Sequence, residues 1–108
     1  VRASKAQLEQ VRMEQADLNE KMYLELTQAA NNLDEAKLQT ALADRSLEQA
    51  DENRRISKGE YDAGLEPLSD HLEAQALWQQ AYETKVDAHF HLYLSYVKYL
   101  KAAGKLTP

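Results

Sequence analysis

The sequence contains no cysteine, only 3 glycines and 2 prolines, and no long hydrophobic run. Without cysteine, the chain cannot form a disulfide and offers no thiolate ligand to a metal. So few glycines and prolines cannot supply the many tight turns of a sheet protein, because such turns favour a residue with positive or preset φ. No stretch approaches the ~20 apolar residues of a membrane helix. These absences exclude an all-β or α/β fold and leave an all-α chain.

The charge balance is acidic, with 18 Asp and Glu against 13 Lys and Arg and a formal net charge of −5. Nucleic-acid binding requires clustered cations that displace counterions from phosphate, so we expect no nucleic-acid partner. Alanine, leucine and charged residues in a seven-residue rhythm are typical of long helices. The length of 108 residues allows one domain at most.

A turn is predicted where the helix-breaking residues cluster. Gly64 lies just before Pro67, and a glycine past a helix end adopts positive φ at little cost. Ser69 and Asp70 then supply the start signals of a second helix. Gly59 is an isolated helix glycine that does not force a stop.

These signals predict a long antiparallel coiled-coil helical hairpin. We expect a helix over about residues 2–63, a turn over 64–68 and a helix over about 69–103, ended by Gly104, with Pro108 discouraging any continuation. The first helix is the longer one, so roughly its first 25 residues lack an intrachain partner. Isolated helices of that length are marginal in water, so something else must cover this overhang.

Small residues recur every seven positions on both helices and predict the packing seam between them. A strict seven-residue repeat faces its partner only if the helices supercoil, and small side chains let their axes approach closely. The second helix also carries a separate apolar stripe at Leu72, Val86, Tyr93 and Leu100, which indicates a further neighbour. The seam is assigned to Ala29, Ala36, Ala43 and Ala50 on the first helix and to Ala74, Ala81 and Ala88 on the second.

Polar residues give no indication of catalysis or metal binding. His89 and His91 point roughly 200° apart on a helix and cannot share a metal, and His71 has no ligand at suitable spacing. No nucleophile–base pair and no glycine-rich phosphate loop is recognisable, so we expect neither an enzyme nor a cofactor. Arg54 and Arg55 suit salt bridges, and we assign a group of tyrosines to an interhelix seam: Tyr82, Tyr93, Tyr96 and Tyr99.

Two segments resemble a known family. Residues 61–75, with the sequence YDAGLEPLSDHLEAQ, look like the helix–turn–helix signature of the TolC-type outer-membrane efflux proteins. Residues 96–106, YVKYLKAAGKL, resemble the end of that family's second repeat. The resemblance covers nearly the whole chain and is densest over residues 40–106.

The resemblance implies a fragment of a periplasmic helical barrel, from a homotrimeric channel whose parent is embedded in the outer membrane of a Gram-negative bacterium. Because the chain has no strand-like segment, the membrane β-barrel of such a channel is expected to be absent from it. The implied partners are a periplasmic adaptor protein and an inner-membrane pump, in drug efflux or type I secretion.

The resemblance also implies which residues would be functional, when the family's functional positions are matched to this sequence. The tip that docks the adaptor would comprise Tyr61, Gly64, Leu65, Glu66 and Ser69. The acidic pair Asp70 and Glu73 would line a constriction or gate, although acids at these positions also suit a helix N-terminus without any gating role.

Two other classes of function remain open at this point. The chain could be the coiled-coil hairpin of the adaptor itself, which a flanking lipoyl-like β domain would indicate, or a purely structural coiled-coil spacer. In each case we expect the isolated chain to self-associate, because the overhang and the second stripe leave apolar surface in water.

Overall fold

The computed structural model describes residues 2–106 and the side chains of residues 4–105. Two α-helices make up this part of the chain, α1 over Arg2–Asp62 and α2 over Leu68–Leu106. They pack against each other as an all-α helical hairpin, which confirms the predicted fold class.

The helix ends differ slightly from the predicted ones. Helix α1 ends at Asp62, and α2 begins at Leu68 and continues past Gly104 to Leu106. The prediction that Gly104 ends the second helix was therefore wrong, because a glycine costs a helix only about 1 kcal/mol and stops it only where the chain turns to positive φ. Among the described glycines, only Gly64 has such a φ, of 76°. Pro108 lies outside the described residues.

Contacts group the chain into two compact units, each of which contains part of both helices. One unit pairs α1 up to Asp34 with α2 from Ser95 onward, and the other comprises Glu35–Leu94 with the turn.

In the unit over Glu35–Leu94, a polar contact and buried small residues mark the interface between the helices. The Thr40 hydroxyl donates to the carbonyl of Ala36 at 2.8 Å and lies 3.3 Å from the carbonyl of Ala88 across the seam. Ala36 and Ala43 are buried beside it. Continuing this antiparallel register places Ala50 level with Trp78, so a small residue of one helix faces a large residue of the other.

Helix α2 has a second line of seam residues, of which only Tyr99 was predicted from the sequence. Its members repeat every seven positions between the predicted small residues, and each is buried or half-buried: His71, Trp78, Lys85, Leu92 and Tyr99. The assignment of four tyrosines to an interhelix seam was wrong within this chain for Tyr82, Tyr93 and Tyr96, which are exposed. Tyr82 and Tyr96 lie about a quarter turn around α2 from the seam and Tyr93 about a third of a turn, whereas Tyr99 lies on it.

In the other unit, the interface is formed by the last turns of α2. Leu33, Ser95 and Ala102 are buried, and Lys105 Nζ lies 3.4 Å from Glu25 Oε2. Every described side chain from Ser4 to Lys21 is exposed. The overhang predicted for the start of the first helix is therefore a feature of the structure.

Two glycines provide a matched test of the turn. A Cβ built on Gly59 or on Gly64 meets no atom within 4 Å, so the two positions differ in backbone conformation and not in available space. We expect Gly59→Ala to stabilise the chain by about 0.5–1 kcal/mol, because alanine loses less entropy in a helix. Gly64→Ala should instead destabilise it by about 1–2 kcal/mol, because an L side chain is strained at this φ.

Urea denaturation followed by circular dichroism would measure both variants. Equal effects of the two substitutions would contradict the assignment of the turn to the backbone conformation of Gly64.

Candidate functional site

The tip of the hairpin is built on a helix C-cap. The Leu65 N–H donates to the carbonyl of Glu60 at 2.8 Å, and the Gly64 N–H donates to the carbonyl of Tyr61 at 3.0 Å. This pair of bonds, with positive φ at Gly64, is the Schellman motif that satisfies the last carbonyls of a helix. The motif turns the chain abruptly after α1 and leaves Leu65 79% exposed at the tip.

Helix α2 begins directly after this cap. The carbonyl of Pro67 accepts from the N–H groups of Asp70 and His71, at 3.1 and 3.3 Å. A proline suits this place because it contributes a carbonyl to the helix and lacks the N–H that would need a partner. Asp70 adds negative charge in the first turn, where it interacts favourably with the helix dipole.

A polar cluster, consisting of Ser57, Glu66, His71 and Gln75, lies beneath the tip. The Ser57 hydroxyl donates to Glu66 Oε1 at 3.0 Å and lies 3.3 Å from His71 Nδ1. His71 Nε2 lies 3.1 Å from Gln75 Nε2, and the Tyr61 ring stacks on the imidazole with centroids 5.4 Å apart. Ser57 and His71 are both buried. The cluster therefore ties α1, the turn and α2 together.

The hydrogen bonds of the cluster form a chain that runs from Gln75 through His71 and Ser57 to the Glu66 carboxylate. Because Ser57 has one hydroxyl proton and gives it to Glu66, its contact with His71 requires the Nδ1–H tautomer as donor. Gln75 then donates to Nε2 of the imidazole. Glu66 Oε2 is buried and has no hydrogen-bond partner among the described residues.

Serine, histidine and glutamate occur together here without forming a catalytic triad. In a triad the histidine stands between the nucleophile and the acid and removes the nucleophile's proton. Here Ser57 stands between Glu66 and His71 and donates its proton to the carboxylate. The arrangement supports the turn and does not activate Ser57.

The residues expected at the docking tip divide into two groups. Gly64, Leu65 and Ser69 are exposed, as is Tyr61, whose ring stacks on His71. Glu66 instead turns inward to Ser57. The predicted gate residues are both exposed on the first turns of α2: Asp70 and Glu73.

The seven alanines assigned to the seam are all buried or half-buried. Ala36 and Ala43 are the most enclosed of them. The others are half-buried along their helices: Ala29, Ala50, Ala74, Ala81 and Ala88.

Two arginines before the tip form short ion pairs within α1. Arg54 pairs with Asp51 at 2.9 Å, and its guanidinium lies 4.0 Å from the ring centroid of Trp78 on α2. Arg55 pairs with Glu52 at 2.6 Å. The hydrogen bond from Arg55 lowers the pKa of the Glu52 carboxyl, and the same bond raises the pKa of Arg55. Arg54 therefore crosses the seam as a cation over an aromatic ring.

A second polar contact joins the helices farther from the tip. His89 Nε2 lies 2.8 Å from Asp44 Oδ1, and Lys85 Nζ lies 3.8 Å from the same oxygen. The hydrogen bond with His89 is the largest cause that lowers the pKa of Asp44. His89 is exposed and the other two residues are only half-buried, so water weakens these contacts and we expect them to add little to stability.

The described residues hold no cluster of three or more histidine, aspartate and glutamate side chains able to bind a metal ion. Over the same residues, neither helix combines the length and apolar content required of a membrane span.

The cluster beneath the tip was not predicted from the sequence, in which His71 was considered only as a metal ligand. Ser57 lies seven residues before Gly64, and His71 lies seven residues after it. Because residues equally distant from a hairpin turn face each other, this symmetry is a signal that could have paired them.

A scan against protein-family models and searches of curated proteins and of solved structures found no match to the chain.

Proposed function

We propose that this chain is a periplasmic tunnel segment of a TolC-type outer-membrane efflux or secretion channel, and that its tip docks the periplasmic adaptor of a tripartite pump. The supporting observation is the exposed turn within residues 61–75, the segment that resembles the family's signature. Leu65 stands 79% exposed on a capped turn, and the Ser57–Glu66–His71 contacts beneath it hold that turn in place.

An ordered backbone at the tip suits the proposed docking role. A docking surface loses less entropy on binding when its backbone is already ordered. The Schellman cap orders the turn from α1, and the hydrogen bonds around Ser57 order it from below. In this proposal Gly64, Leu65 and Ser69 meet the adaptor, Glu66 and Tyr61 support the turn, and the exposed Asp70 and Glu73 line the constriction.

The whole protein would then be a homotrimer in the outer membrane of a Gram-negative bacterium, with this segment in the periplasm and an inner-membrane pump as its more distant partner. The exposed overhang of α1 and the exposed stripe of α2 support this assignment. A wall segment needs neighbours on faces other than its own seam.

Site-specific crosslinking tests the docking role. The chain has no cysteine, so Leu65→Cys provides a single attachment point for a photoreactive group. Leu38→Cys is the matched control, since Leu38 is also exposed, on α1 away from the tip. With a purified periplasmic adaptor protein of a tripartite pump, we expect crosslinks from position 65 and none from position 38. Equal crosslinking from both positions would contradict docking through the tip.

The protein sequence encoded on either side of this segment would distinguish the proposed function from its alternatives. Segments that alternate apolar and polar residues, as membrane β-strands do, would support a channel. A neighbouring lipoyl-like β domain would indicate the adaptor, and further heptads on both sides would indicate a structural spacer.

A further inference from the structure

We draw no further inference here: the strongest candidate, the exposed apolar face of α2 formed by Leu72, Tyr82, Val86, Tyr93, Tyr96 and Leu100, carries nothing because nothing in the structure shows what covers it.

Discussion

Replacing Ala36 with leucine is expected to lower the free energy of unfolding by about 1–3 kcal/mol. Ala36 is 1% exposed, and the register of the seam places it level with Leu92 of α2. A larger side chain at this point forces the helices apart or forces neighbouring side chains out of their preferred rotamers. The short separation of the helices at Thr40 and Ala88, one turn away, would lengthen as well.

The matched control for this variant is Ala41→Leu. Ala41 lies on the same helix and is exposed, so the same substitution there adds no atom to the seam. We expect a change within about 0.5 kcal/mol. Thermal and urea denaturation at several protein concentrations would measure both variants. An equal loss at positions 36 and 41 would show that the small residues are not required for close packing.

Ser57→Ala is the second substitution with a large expected effect, at about 1–3 kcal/mol of lost stability. It removes the hydroxyl that donates to Glu66 and accepts from His71. The Glu66 carboxylate already has one buried oxygen without a partner among the described residues, so this change takes away the hydrogen bond to its other oxygen. A buried acceptor that loses its donor bears the full cost of desolvation.

A double-mutant cycle with Glu66→Ala isolates this interaction. Once the carboxylate is gone, Ser57→Ala should cost at least about 1 kcal/mol less than it does in the native chain. Ser46→Ala, at an exposed serine of α1, controls for the loss of a hydroxyl from the helix. Additive effects of the two changes would mean that Ser57 and Glu66 do not support each other, and the account of the tip would have to be revised.

The two predictions concern different properties of the hairpin. The Ala36→Leu variant tests how closely the helices approach along the seam. The Ser57→Ala variant tests whether hydrogen bonds beneath the turn stabilise it. A variant that loosens the tip without loosening the seam would be useful for the adaptor experiment, since its hairpin would persist while its docking surface became less ordered.

The amino-acid pattern by itself determined that the chain is a pair of helices with one reversal. Residues 1–58 contain no glycine or proline, and Gly64 with Pro67 marks the turn, because helix propagation and positive φ are local properties. The seven-residue repeat of alanines likewise identified a seam without reference to any partner. Local chemistry also explains the salt bridges of Arg54 and Arg55, whose acids lie three residues away.

Tertiary structure alone decided what lies opposite each seam residue and which polar groups meet beneath the turn. A repeat of seven indicates a face, but the face of α2 that turns toward α1 includes His71 and Lys85, which a search for apolar residues passes over. Ser57, Glu66 and His71 come together only after the helices have folded back on each other. Burial and hydrogen bonding between residues distant in sequence depend on that register, and no local preference of the chain specifies it.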